Sequence, residues 1–179
     1  MANIVELNPV DYVTVGTIGP KGQRTFHLQA GKDNRVVSFT IEKEQARGLA
    51  EAIKELLEDI DERDDTVTEA DFSVLDMDLR EPIEPMFRIS QMGLAYEADD
   101  NMIVLIAQEF MPSSLVDEDE DADDLDEFSF LDDDGEDPGV ARMWCTREQM
   151  KALSLHAIDI VKSGRPDAKQ NGRIIYYWT

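Results

Sequence analysis

Apolar and polar positions alternate in three short runs near the start of the chain, the period of strands with distinct faces. The first, YVTVGTI from Tyr12 to Ile18, is rich in β-branched residues. The second, QRTFHLQA, sets Arg24, Phe26, Leu28 and Ala30 on one face and Thr25, His27 and Gln29 on the other. The third, RVVSFTI, brings Val37, Phe39 and Ile41 into line. The period then lengthens. Ala46, Leu49, Ala50, Ile53, Leu56, Leu57 and Ile60 recur at helical spacing, one apolar stripe between Lys43 and Glu62.

The same order returns further on. MFRISQMGLAYE (Met86 to Glu97) and MIVLIAQEF (Met102 to Phe110) read as a hairpin across ADDN. VARMWCT then leads into a helix beginning REQMKAL, where Thr146 and Gln149 have the spacing of a capping box. That helix is expected to stop near KSGRP. Setting IEKEQARGLAEAI over CTREQMKALSLHA places Glu44 and Gln45 on Glu148 and Gln149, and Leu49 on Leu153. The pattern predicts an α+β domain made of two β-β-β-α repeats related by pseudo-two-fold symmetry, with antiparallel sheets covered by the two helices. The first repeat spans 9–62 and the second 86–165, joined by a linker over 63–85 with an edge strand expected around Phe72 to Leu79. The tail 166–179 ends in RIIYYWT, an aromatic, β-prone run expected to add a last strand or pack across the core.

Charge divides the chain unevenly. The net charge is −23, but 14 acidic residues and no basic one lie between Asp117 and Asp137; without them the balance is −9. That segment, within an insert at 112–138, is expected to be mobile and solvated. Phosphate-backbone binding needs clustered Lys and Arg, so nucleic-acid binding is not expected. The apolar fraction of 42% is enough for a proper core. No run approaches the ~18 apolar residues of a membrane helix, and the start MANIVELNPVDY lacks the pattern of a secretion signal. A single cysteine, Cys145, excludes an internal disulfide and a cysteine zinc cluster. These features together predict a cytoplasmic protein with no cofactor and no metal.

Candidate chemistry is sparse. Cys145 precedes a helix start, where a thiolate is favoured, yet it alternates with Met143 and Ala141 as a buried strand cysteine does. His27 and His156 are its only potential histidine bases, and His156 falls on the helix face that should meet the sheet. DDDGED lacks the alternating ligand spacing of a calcium loop. Within the acidic insert, Phe128 and Phe130 are aromatic anchors that suit a basic, grooved partner, and the insert also suits mimicry of nucleic acid. The turn GPKGQR is not a phosphate-binding P-loop, but Lys21, Arg24 and successive backbone amides have the chemistry to hold a small anion. The same turn also reads as a plain hairpin whose glycines allow positive φ and whose cations face water.

Four stretches, VGTIGPKGQRTFHLQA, IEKEQARGLAEAIKELL, FRISQMGLAYE and SGRP, resemble an uncharacterised bacterial family, domain of unknown function 3090. That family carries a G-x-x-G-Q-R-T-F-x-L-Q-A signature, an E-K-x-Q helix start, an F-R-V-G strand and a G-R-P helix end. The resemblance draws attention to Gly19, Gly22, Gln23, Arg24, Thr25, Phe26 and Gln29. The family's cysteine-rich C-terminal tail, of zinc-knuckle type, has no counterpart in GRPDAKQNGRIIYYWT, so no zinc site is implied here.

The expected function is a non-enzymatic binding or adaptor protein that recognises a protein partner or a small anion. Lys21, Gln23, Arg24 and Arg165 are the candidate anion contacts, and Phe128 and Phe130 the candidate docking residues. A small enzyme acting on a phosphorylated or carboxylated metabolite through Lys21, Arg24 and Arg165 is the rival. Gln23 and Arg24 also have the reach to cap carbonyls of the second half, which would make the loop a structural lock.

Overall fold

The alternating runs become strands and the two helical stripes become helices in a computed structural model that describes residues 3–20, 22–111 and 137–163. In chain order these are β1 (Ile4–Leu7), β2 (Tyr12–Ile18), β3 (Thr25–Lys32), β4 (Arg35–Ile41), α1 (Lys43–Asp64), β5 (Pro85–Glu97), β6 (Met102–Glu109), β7 (Val140–Cys145) and α2 (Arg147–Ser163). The protein is α+β, one seven-stranded sheet with two helices, in the order β1-β7-β6-β5-β4-β3-β2.

The sheet is mixed, which corrects the expectation of antiparallel sheets. β2-β3-β4 and β5-β6-β7 are antiparallel meanders, but β4 pairs with β5 in parallel, and β1 pairs with β7 in parallel. The reason is the helix between β4 and β5. A strand that returns through a helical crossover enters beside its predecessor pointing the same way. β1 was not legible as a strand, because four residues, with only Val5 and Leu7 buried, are too short a run to show a period.

β1 and β2 lie at opposite ends of that order, yet four residues join them. A flat sheet of seven strands would hold its edges ~29 Å apart, whereas such a link spans at most ~18 Å. The sheet therefore curls. The link closes the roll by bonding to both sides: the Val10 amide donates to the Trp144 carbonyl at 2.9 Å, and the Asp11 amide to the Gly31 carbonyl at 2.7 Å.

Both helices pack against one face of this curled sheet and against each other. The core draws on every strand, with Leu28, Phe39, Ile53, Ile103, Leu105, Met143 and Leu153 fully buried. The α1 residues Ala46, Leu49, Ala50, Ile53 and Leu57 are buried, as are Met150, Leu153, Ser154, Ala157 and Val161 of α2. At the crossing the Ser154 hydroxyl donates to the Ala50 carbonyl at 2.7 Å. Thr146 and Gln149 form the anticipated capping box, with the Gln149 amide donating to Thr146 Oγ1 and the Thr146 amide to Gln149 Oε1. Gln45 accepts the Glu42 amide in the same way at the start of α1.

The segment between α1 and β5 contains no strand, a second correction: Phe72 to Leu79 forms turns and extended backbone without a ladder. It still packs. Thr14 Oγ1 donates to the Met77 carbonyl at 2.6 Å, Leu79 lies against Gly16, and the Arg80 guanidinium sits 3.6 Å above the Tyr12 ring. This covers the outer face of β2 and β3. His27 and Gln29, on the face opposite Leu28, are buried for that reason.

Candidate functional site

The β2–β3 turn is a hairpin, and it also forms one wall of a concavity. Gly19 and Gly22 have φ of 109° and 86°, a region that side chains disfavour, and the Gln23 amide closes the turn on the Pro20 carbonyl at 3.0 Å. The turn delivers Arg24 and Thr25 to a cavity of about 420 Å³ shared with Thr40 at the end of β4, Glu42 and Lys43 at the start of α1, and Arg88 on β5. Among the described residues three cations face one carboxylate there, an excess of two positive charges on a chain of net charge −23. The amino end of α1 adds its partial positive charge to the same place.

The cations are unequally engaged. Arg88 pairs with Glu42, and both are more than half exposed. Arg24 donates from Nη1 to the Ser163 carbonyl, the last of α2, at a long 3.4 Å. Lys43 makes no ion pair among the described residues. Such groups remain available to an incoming anion at low rearrangement cost.

Arg147 shows what a saturated arginine looks like in this protein. Only 9% exposed, it reaches Asn101 Oδ1 at 2.7 Å, Thr66 Oγ1 at 3.0 Å, the Tyr96 hydroxyl at 3.0 Å and Asp64 Oδ2 at 2.5 Å, with Asp61 Oδ1 at 3.5 Å. It ties the start of α2 to the end of α1 and the end of β5. Burial raises the Asp61 carboxyl, but bonds from the Thr68 amide, Thr68 and Thr66 hydroxyls, together with Arg147, hold it below the usual range.

The remaining candidates separate by position. Gln23 is exposed beside the cavity, while Phe26 is buried in the core beneath it. Gln29 is fully buried: its amide nitrogen donates to the Arg80 carbonyl at 2.8 Å and its oxygen accepts the Arg80 amide at 2.7 Å, so it fastens the crossing segment. Lys21, Phe128, Phe130 and Arg165 lie outside the described residues, as do most of the acidic insert and the C-terminal tail. Lys43 and Arg88 were not singled out from the sequence. The signal was present: each sits in a stretch that carries the family resemblance, Lys43 in EKEQ and Arg88 in FRIS.

Cys145 is fully buried, and burial pushes its thiol up to about 12, far from a reactive thiolate. His27 is lowered, chiefly by burial and partly offset by a backbone bond to Phe39; its Nδ1 has no hydrogen-bond partner among the described residues. His156 is lowered by burial against smaller opposing effects of Asp159, the Val15 backbone and Asp78. No set of three or more His, Cys, Asp or Glu side chains is placed to hold a metal among the described residues, and no helix there is long and apolar enough to cross a membrane.

The molecule is thus an α+β protein with a curled mixed sheet and a cationic concavity where its signature stretches meet. It belongs to the family described as protein of unknown function (DUF3090), whose family model matches residues 5–173. No curated protein and no solved structure matches the chain.

Proposed function

We propose that this chain is a non-enzymatic cytoplasmic binding protein whose cavity at Arg24, Lys43 and Arg88 holds a small anion carrying phosphate or carboxylate groups. One observation carries the reading. Three separate stretches of the family signature bring cations to one concavity, and two of those cations are not spent on carboxylates among the described residues. Arg24 supplies a planar fork suited to two oxygens, Lys43 a point charge, and Thr25 and Thr40 hydroxyls that donate or accept. Among its described lining residues the cavity has no cysteine or histidine, and the carboxylate there is engaged with Arg88, which favours binding over general acid–base chemistry.

Calorimetry and thermal unfolding with phosphate, pyrophosphate and citrate test this. A ligand at 100 times its Kd should add ~2.7 kcal/mol of stability. Arg24→Ala and Lys43→Ala should each weaken binding at least ~tenfold, a loss of ~1.4 kcal/mol, while the unliganded protein keeps its midpoint. A lowered midpoint in Arg24→Ala, with no anion bound by the parent protein, makes the bond to Ser163 a structural lock and ends the proposal.

The same reading treats the chain as a doubled β-β-β-α unit with a pseudo-two-fold axis through the helix crossing. Three correspondences support it. With Gln45 set on Gln149, Ala46, Leu49, Ala50, Ile53 and Leu57 fall on buried residues of α2, the crossing pair Ala50 and Ser154 among them, while buried Arg147 and Ala152 fall on Lys43 and Gly48, which are not buried. Gln45 Nε2 donates to the consecutive carbonyls of Ile89 and Ser90 at 3.0 and 3.2 Å, and Gln149 Nε2 to those of Val10 and Asp11 at 3.2 and 3.4 Å. One helix start is thus tied to β5 and the other to the two residues that precede β2. The parallel junction of β4 with β5 also suits a head-to-tail order in a rolled sheet, with the axis along the roll.

A further inference from the structure

β5 runs on past the end of β4. Their parallel pairing stops at Thr40 and Arg88, so Gln91–Glu97 bonds to β6 on one side and to no strand on the other among the described residues. α1 stands opposite this edge without closing on it. Between them lies a groove of about 550 Å³, with Gly48, Ala52 and Leu56 on the helix wall and Met92 and Leu94 on the strand wall. Both ends are framed: Gln45 bonds the Ile89 and Ser90 carbonyls at one, and Arg147 joins Tyr96 to Asp64 at the other. The opening is therefore held by the fold on both sides.

The walls specify an occupant. An unpaired strand edge offers main-chain donors and acceptors at the strand repeat, which an extended peptide matches. The helix wall is shallow because a Cβ at Gly48 would meet nothing within 4 Å and Ala52 is exposed. Glu55 and Asp59 line the same wall with no cation among the lining residues, and the chain as a whole is strongly acidic. We infer that the groove receives an extended segment of a protein partner, added beside Gln91–Leu94 as a further strand, with apolar residues alternating with Lys or Arg. Apolar side chains meet Leu56, Met92 and Leu94, while the basic ones meet Glu55 and Asp59. The net charge of the chain steers such a partner toward it. This surface shares no lining residue with the anion cavity, so the two readings stand or fall separately.

The test uses the full chain and two fluorescent heptapeptide libraries, one alternating Lys or Arg with Val, Ile, Tyr or Phe, the other with Glu or Asp in the charged places. Binding by anisotropy is expected for the basic library alone. It should fall at least ~tenfold in Ala52→Trp, which fills the groove from an exposed helix position, and several-fold in Glu55→Lys, with the midpoint of unfolding unchanged in both. Arg24→Ala should leave it intact. A photo-cross-linker in place of Gln91 should capture the basic peptide. Absence of binding at millimolar peptide, equal binding of the acidic library, or survival of binding in a folded Ala52→Trp overturns the proposal. Cross-linking instead to a second copy, or to the chain's own residues 164–179, overturns it in favour of that occupant.

Discussion

The curled sheet has two seams, one where the β1–β2 link closes the roll and one where β5 runs on past β4, and the helices treat them differently. At one, the end strand β2 leaves the link that bonds to Trp144, and α2 packs directly upon it. At the other, β5 continues beyond β4 and α1 stands away, leaving the groove. The helices are entered alike, through Gln45 and Gln149, so the difference begins one turn later. Where α2 has Ala152 and His156, the corresponding positions of α1 hold Gly48 and Ala52. Ala152 is fully buried, and His156 engages the Val15 backbone; Gly48 and Ala52 are exposed. The outer faces differ too. A Cβ at Gly16 would lie 2.5 Å from Leu79 of the crossing segment, whereas one at Gly93 would meet nothing within 4 Å. Two side chains and one irregular crossing segment thus separate a filled seam from an open one.

The largest effect should come from the arginine that frames the open seam. Arg147→Ala leaves Asp61 and Asp64 without their cation and the Tyr96 hydroxyl without a donor, while Asn101 keeps only its bond from Tyr96. Because those carboxylates are partly exposed, a loss of ~3 kcal/mol is expected, at the low end for breaking a buried pair. Urea unfolding measures it. A cost under ~1 kcal/mol, the range of a surface pair, would mean that Arg147 frames nothing.

Exchanging the seam residues should have a smaller and asymmetric effect. His156→Ala empties a filled seam and should cost ~1–2 kcal/mol, within the usual range for loss of packing and a hydrogen bond. Ala52→His adds a side chain where there is open space and should stay within ~0.5 kcal/mol of the parent. Equal costs at the two positions, read from denaturation midpoints at constant slope, would abolish the distinction between the seams.

The smallest effect is in pH. His27 and His156 are both held below the ordinary histidine value, mainly by burial. Above about pH 6.5 each is neutral whether folded or unfolded, and neither alters stability. As pH falls below that value the unfolded chain takes up protons that the folded chain refuses. Stability therefore declines until the depressed folded values are reached. Two-state urea titrations between pH 8 and pH 5 should show this decline, shallower in His156→Ala and in His27→Phe. A slope unchanged by both substitutions would show that neither histidine is linked to folding.

How far the site was readable follows from the same physics. Arg24 and its turn were conspicuous because glycine, proline and cations crowd one short run, although the same run also reads as a plain hairpin. Lys43 and Arg88 looked like ordinary helix-start and strand cations, since nothing local announces that β5 will be laid beside β4. Arg147 read only as the first residue of a helix, because the partners that make it a lock come from α1, β5 and the turn after it. Gln29 read as an outward polar position on an alternating strand. It is buried only because the irregular Val74–Arg80 stretch, which has no period to read, crosses above it.

The amino-acid sequence by itself determined the six longer strands, both helices, the capping box of Thr146 and Gln149, and which face of each element is apolar. These depend on periodicity and on contacts within a few residues, so the information is local. Only the tertiary structure decided the parallel junctions, the curl that lets four residues span the sheet, the framed groove and the gathering of Arg24, Lys43 and Arg88. Those depend on which strands pair across tens of residues, and the free energy of such pairing belongs to the assembled surface rather than to any one segment.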